Sequence, residues 1–382
     1  MSKELQLNSE QRKKYISIRR RFHEPVVGIT GNLGKTSTLS MIRTLMEARG
    51  KVLYGKHKHG SWKNNISLLE KLNSDYNYAL FEFDYKRGNN FAELLRLIKP
   101  TIGIVTNIGD AHLNYLNDAI RVAMEKSALV KYLARDGLAI LNKDDEISMT
   151  LAETISTGNI VTFGLNQKAD YFATDIKQLG PSGTSFKLNG KYDLQLPIYS
   201  IQDVYNFLAA SACAQNLGYH LTEIIDVFSS HFQLEPGHGR LHKIGDYYLL
   251  DESDTSTPRS LSKAARSLIA FKPYCDDLVF IVSDMTNAGV NVEEQHLNMG
   301  YFLSALPIKH LITIGEYSKL IAKGASLIRP HNKKIYSVNS IDEMLNILKM
   351  NLDKKAVLSL KGVGKVATHR VLKYLSERDR QR

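Results

Sequence analysis

Residues 25–37 read Pro25-Val-Val-Gly-Ile-Thr-Gly-Asn-Leu-Gly-Lys-Thr-Ser37, an apolar run that passes into a glycine turn and then into Lys35-Thr36-Ser37. Such a run predicts a buried strand, a turn free of bulky side chains and a helix N-terminus. Together these present backbone N–H donors and a positive dipole end to a phosphate chain, with Gly31, Asn32, Gly34, Lys35, Thr36 and Ser37 lining the cradle. Lys35 can reach the outer phosphates, and Thr36 can ligate Mg²⁺. The spacing excludes a dinucleotide fingerprint, because Gly28, Gly31 and Gly34 fall three apart and a lysine follows directly. Ile29 stands where the standard phosphate loop has its first glycine. ATP or GTP is the expected ligand.

Short β-rich runs at 51–54, 78–84, 101–108 and 138–142 alternate with helical patterns such as 119–134, which predicts a mostly parallel, doubly wound α/β sheet. Residues 170–198 switch to alternating polar and apolar positions around Gly180-Pro181-Ser182-Gly183 and Asn189-Gly190, as hairpins at a domain edge do. Helices are expected over 203–217 and 222–232. Pro236, Gly237 and Gly239 then interrupt regular structure, and strand-helix alternation resumes through 247–251, 278–282, 310–314 and 356–361. The expected organisation is a helical extension over 1–24, an ATP-binding central domain over 25–235 and a Rossmann-like α/β domain over 236–382.

A chain of 382 residues with a formal charge of +11 favours anionic ligands such as nucleotides, acyl phosphates or carboxylates. The basic run Arg12-Lys13-Lys14 and Arg19-Arg20-Arg21 reads as the solvated face of a helix, and no RNA-binding signature accompanies it, so no nucleic-acid partner is expected. Cys213 and Cys275 lack metal-ligand spacing, and no apolar run is long enough to span a bilayer. These features fit a reducing cytoplasm and no membrane partner. The neighbours Lys56 and Lys58 argue against a metal at His57 and His59.

In an open parallel sheet, ligands bind beyond the carboxyl ends of the strands. Glu82 closes the run 78–83, where a carboxylate can hold Mg²⁺ or simply bind water. The next strand ends in Thr106-Asn107-Ile108-Gly109-Asp110-Ala111-His112, which brings an imidazole to the same crevice in a structural or a catalytic role. Lys126 lies on an amphipathic helical pattern, where a lysine is ordinarily solvated.

These motifs, in this order and over roughly residues 25–375, resemble the Mur ligase family, the ATP-dependent amide ligases that add amino acids or dipeptides to peptidoglycan precursors. The likeness is greatest to its D-alanyl-D-alanine-adding type. Thr30-Gly-Asn-Leu-Gly-Lys-Thr36 is similar to the family's ATP loop, and Asn65-Ile66 to its substrate-side asparagine segment. By that resemblance Glu82 is the metal-binding glutamate, His112 a second-metal ligand, and Lys126 in Glu125-Lys126-Ser127 the carbamylated lysine. Asn206 would lie at the nucleotide, Arg240 of Pro236-Gly-His-Gly-Arg240 would reach the phosphates, and Asp251 would meet the ribose. Ser283-Asp284-Met285 with His296, and Lys361-Gly362, match later landmarks.

The resemblance implies ATP, two Mg²⁺ ions and a carbamylated lysine as cofactors, with Thr36, Glu82, His112 and Lys126 as metal ligands. Lys35, Glu82, His112 and Lys126 would carry catalysis. ATP would convert a small or peptidyl carboxylate to an acyl phosphate that an amine attacks, releasing ADP and phosphate. The phosphate-loop strand starts at Pro25, so the family's N-terminal UDP-sugar-binding domain is expected to be missing. Asp254, Thr255 and Thr257 replace family tyrosine and asparagine positions, and Val363-Gly364 replaces Ser-Arg. A specialised acid–amine ligase, a peptidoglycan precursor ligase and a catalytically idle ATP-binding scaffold are the readings that remain.

Overall fold

The computed structural model describes residues 7–55, 60–84, 91–108, 126–150, 158–230, 232–286, 288, 291–328, 333–353 and 355–381. The fold is mixed α/β with mostly parallel sheets. It divides into one unit formed by Met1–Ile176, Phe186–Leu194 and Ile201–Phe232, and a second formed by Lys177–Ser185, Gln195–Ser200 and Gln233–Arg382.

In the first unit, β1 (Val26–Thr30) lies between β3 (Tyr78–Glu82) and β4 (Ile102–Val105), parallel to both. β2 (Val52–Tyr54) extends the sheet beyond β3, and β5 (Leu138–Asn142) and β6 (Asn159–Gly164) continue it beyond β4. β7 (Tyr171–Gln178), β8 (Thr184–Leu188) and β9 (Tyr192–Leu196) complete an order of β2-β3-β1-β4-β5-β6-β7-β8-β9. The turn between β8 and β9 is made by Asn189 and Gly190, both at positive φ, which twists the hairpin in the favoured sense.

Every residue of β1 is buried, as a central parallel strand covered on both faces must be. Over one face pack α3 (Trp62–Glu70) and α4 (Phe91–Ile98), with Leu68, Leu69, Leu94 and Leu95 against Phe81 and Phe83. The core also includes α2 (Lys35–Glu47), α7 (Ile201–Asn216) and α8 (Leu221–Ser230), where Phe207 meets Phe186 and Phe228 edge-on. Two shorter helical stretches, α5 (126–131) and α6 (Glu146–Thr150), flank β5.

Helix α1 (Ser9–Arg21) is set by a capping box between Asn8 and Gln11 and buries Tyr15 against α3 and α4. Its basic run is not wholly solvated. Arg19 donates to the Ile98 and Lys99 carbonyls at 2.6 and 2.9 Å and to the Phe22 carbonyl at 2.7 Å, so it caps the C-terminus of α4.

The second unit holds a six-stranded sheet in the order β10-β11-β15-β12-β13-β14. β10 (Arg240–Ile244) runs antiparallel to β11 (Tyr247–Glu252), and β15 (Ala356–Lys361), β12 (Asp277–Ser283), β13 (His310–Ile314) and β14 (Lys334–Val338) follow in parallel. α9 (Pro258–Ile269), α10 (Val292–Ser304) and α11 (Ser318–Leu327) cover one core, and α12 (Ile341–Asn351) and α13 (Gly364–Arg380) the other. Among the described residues no helix is long and apolar enough to cross a membrane.

Candidate phosphate and metal site

The turn after β1 requires glycine at two places. Gly31 has φ +147°, and a Cβ there would lie 1.9 Å from Thr106 Oγ1; Gly34 has φ +86°, and a Cβ there would lie 2.2 Å from Asn206 Oδ1. Both values are conformations that L side chains rarely adopt. Gly31→Ala should therefore abolish nucleotide binding through loop distortion while the chain still folds, which calorimetric titration with ADP beside a thermal melt would check.

The loop is stapled to the end of β4. Asn32 N donates to the Asn107 carbonyl at 3.0 Å, Leu33 N to Asn107 Oδ1 at 3.1 Å, and Asn107 Nδ2 and Thr106 Oγ1 both donate to the Leu33 carbonyl, at 2.9 and 2.7 Å. A preset loop loses little conformational entropy on binding a phosphate chain. Asn206, on α7, sits at the start of α2, with its Nδ2 donating to Asp203 Oδ1 at 3.3 Å.

Helix α2 starts at Lys35, and the Lys35 ammonium folds back over the loop. It donates to the Gly31 carbonyl at 3.0 Å and lies 3.5 Å from Asp84 Oδ1. Thr36 Oγ1 donates to Glu82 Oε2 at 2.9 Å, which places a hydroxyl and a carboxylate together at the mouth of the loop. Ser37, the next residue, is buried in the first turn of α2. Asn65 is buried on α3, where its Nδ2 donates to the Glu82 carbonyl at 2.8 Å and fixes the strand end that carries the carboxylate.

Lys126 is 5% exposed, not solvated as its helical pattern alone suggests, and its Nζ donates to Asn32 Oδ1 at 2.5 Å. His112 and Glu125 lie outside the described residues, as do His57 and His59. The first unit thus gathers Gly31, Asn32, Gly34, Lys35, Thr36, Glu82, Asn65, Lys126 and Asn206 around one strand edge. A hard cation suits the Thr36 and Glu82 oxygens, since Mg²⁺ binds through one or two protein oxygens and completes its shell with phosphate oxygens and water. Among the described residues no group of three or more His, Cys, Asp or Glu side chains forms a closed metal cage.

Arg240 and Asp251 belong to the second unit, paired across β10 and β11. Asp251 accepts from Gly237 N at 2.8 Å and Ser253 N at 3.2 Å, and Arg240 Nε donates to the Leu234 carbonyl at 2.7 Å, so both shape the segment around Gly237. At the same edge Glu252 accepts from Lys263 Nζ at 2.9 Å and from Lys361 Nζ at 3.3 Å. Burial opposes the Glu252 charge, but the two ammonium groups override it and bring its carboxyl down to about 2. Burial draws Lys361 below the ordinary lysine range, against the pull of Glu252. His296 is fully buried and holds the Asp284-Met285 turn, accepting from Met285 N at 2.8 Å and pairing with the Val292 carbonyl at 2.6 Å.

Sequence reading did not single out Asp84 or the Glu252 cluster. Asp84 lies two residues past Glu82, and nothing in its spacing shows that Lys35 folds onto it.

Residues 29–214 match the Mur ligase middle domain. That match covers just under half of the chain, and the chain resembles Mur ligases beyond it as well. Curated relatives include UDP-N-acetylmuramoyl-tripeptide–D-alanyl-D-alanine ligases from Synechocystis, 29% identical over 81% of this chain and 66% of the relative, and from Escherichia coli, 28% identical over 81% and 69%. The chain spans about two thirds of the length of these Mur ligases. Among solved structures, a MurF from Acinetobacter baumannii superposes with TM-score 0.82 at 21% identity, covering 96% of this chain and 80% of that one. MurF from Thermotoga maritima in complex with ADP gives TM-score 0.80 at 18% identity, covering 100% and 87%. These likenesses show that the Mur ligase fold extends over both units.

Proposed function

We propose that the chain is an ATP-dependent, ADP-forming amide ligase that activates a carboxylate as an acyl phosphate and couples it to an amine. The arrangement that carries this reading is the Thr36–Glu82 pair at the mouth of a loop closed by Lys35, with Lys126 buried beside it. A carboxylate is inert to amines near neutral pH, so the γ-phosphoryl group must be transferred to it first. The amine then attacks the acyl carbon, and the tetrahedral adduct collapses to amide and phosphate.

Each step concentrates negative charge at the loop. The N–H groups of the loop and the Lys35 ammonium would hold the phosphate oxygens as that charge moves. Thr36 and Glu82 would hold a Mg²⁺ ion on the nucleotide, and His112 with a carbamate on Lys126 would hold a second beside the acyl group. Bound there, the ions would neutralise phosphate charge and align the reacting groups. To form the carbamate, the lone pair of neutral Lys126 Nζ bonds to the carbon of CO₂ and one N–H proton leaves to water, giving –NH–COO⁻. Asn206, Arg240 and Asp251 would bind the adenosine and phosphate portions, and Asn65 would set the acid side of the crevice. The domains assigned to these roles are 25–235 and 236–382.

The substrates are small or peptidyl acids and amines. The names of the relatives make UDP-N-acetylmuramoyl-tripeptide and D-alanyl-D-alanine the first pair to test, and Asp254, Thr255, Thr257, Val363 and Gly364 are the departures that favour another pair. Cys213 and Cys275 are free thiols, in keeping with work in the cytoplasm. Protein, ATP and Mg²⁺ are incubated with pooled acids and amines. ADP and phosphate release that needs both co-substrates supports ligation; nucleotide binding with no turnover across the pools would favour a scaffold.

Lys126→Ala should lose ligation and regain part of it with added acetate or formate, which supply the missing oxygen ligand. Equal activity with and without these acids would return Lys126 to a packing role.

A further inference from the structure

We propose that Asn32 is a positioning residue that sets the rotation of the Lys126 head group; the inference rests on the reading of Lys126 as a carbamylated metal ligand. Asn32 lies between the two obligatory loop glycines, yet its side chain turns to protein rather than to the cradle. Nδ2 donates to the Ile108 carbonyl at 2.7 Å, and Oδ1 accepts from Lys126 Nζ at 2.5 Å. The Ile108 contact fixes which end of the amide faces the lysine. Were the amide reversed, Oδ1 would face a carbonyl oxygen and an NH₂ group would face an amine.

Ile108 is itself held from the other side. Its N–H donates to Asp145 Oδ2 at 2.8 Å, and Asp145 Oδ1 accepts from Ser148 N at 2.8 Å. A line of hydrogen bonds therefore runs from the start of α6 through the end of β4 and the phosphate loop to Lys126.

An acceptor aimed at Nζ has a particular value for carbamate chemistry. A lysine carbamate retains one N–H, so Asn32 Oδ1 can keep the same bond before and after CO₂ adds. That bond fixes torsion about the Nζ–carbon axis and leaves both carbamate oxygens turned away from Asn32, available to a cation. Partners behind a metal ligand orient it in this way. The acceptor must be neutral. A carboxylate at position 32 would hold the ammonium form and repel the carbamate, whereas a hydroxyl would still accept.

The test is ¹³C NMR of the full chain equilibrated with ¹³C-bicarbonate, with the carbamate resonance assigned by its loss in Lys126→Ala. Asn32→Ser should keep carbamate occupancy within about threefold of the parent because it retains a neutral acceptor. Asn32→Asp, close in shape to asparagine, should lower occupancy at least about tenfold through like-charge repulsion at a poorly solvated site. Asn32→Leu, similar in volume but with no acceptor, should fall as well, and thermal melts report the fold of each variant. A purely packing role reverses the order, with Asn32→Leu, which keeps the volume, better tolerated than Asn32→Ser. That order, or parental occupancy in both Asn32→Asp and Asn32→Leu, overturns the positioning role while leaving the Lys126 reading intact. A parent protein with no Lys126-dependent resonance overturns both.

Discussion

Lys35→Ala is expected to lower ligation by about 10²–10³-fold, the range seen when one preorganised charge donor is removed from a transition state. The Lys35 ammonium is held over the loop by the Gly31 carbonyl and Asp84, so its charge is already aimed at the place where phosphate oxygens would gather. Its contribution grows as the γ-phosphoryl group loosens from ADP, and kcat should therefore fall further than ADP affinity. Glu82→Ala should give a loss of similar size but with a different signature. It removes the carboxylate paired with Thr36, so the requirement for Mg²⁺ should rise and excess Mg²⁺ should restore part of the rate. Steady-state release of ADP, followed across Mg²⁺ concentration for both variants, measures each effect. Parental rates in both, or AMP and pyrophosphate in place of ADP, would refute acyl-phosphate chemistry at this loop.

The phosphate loop was legible in the sequence because its constraint is local. Backbone at φ +147° and +86° against neighbouring side chains needs glycine, and glycine spacing is visible in one dimension. Glu82 was legible for a topological reason, since a carboxylate closing an apolar run in an alternating α/β pattern falls at the ligand edge of a parallel sheet. Lys126 was different. Its helical pattern predicts solvent, and only resemblance drew attention to it; its burial comes from where α5 packs relative to β1 and β4, which periodicity does not encode. Asn32 could be assigned to the loop, but not its second contact, because that depends on the Ile108 carbonyl standing 2.7 Å away beyond the end of the neighbouring strand β4.

The same distinction explains the second unit. Its parallel strands follow from alternation, but Glu252, Lys263 and Lys361 come from β11, α9 and β15 and meet only when the sheet has formed. Arg240 and Asp251 were named from resemblance for contacts with nucleotide. Within their own unit they also organise the turn at Gly237, so variants at either position should be read with a stability measurement beside the kinetics.

Glu252→Gln is expected to destabilise the protein by about 3–5 kcal/mol, because removing one partner strands the charges that remain in a buried site. The Lys361 side chain is 3% exposed and that of Glu252 6%, so water cannot take over the screening that the carboxylate supplies. Lys263, at 17% exposed, can partly turn to solvent, which leaves Lys361 as the group in difficulty. Combining Glu252→Gln with Lys361→Met should recover much of the loss, and a double-mutant cycle would report the coupling. The pH dependence follows from the same pair. The Glu252 carboxyl drops from 4.5 to about 2 on folding, so its contribution is complete above the unfolded value and disappears as pH falls through the folded one. Such a shift corresponds to about 3 kcal/mol, lost between roughly pH 5 and pH 2. Urea unfolding of the parent at pH 7, 5 and 3 should show that acid limb, and the double variant should show it flattened by most of that amount. An acid limb of equal depth in both proteins would mean that other carboxylates govern acid stability and that the buried triad contributes little.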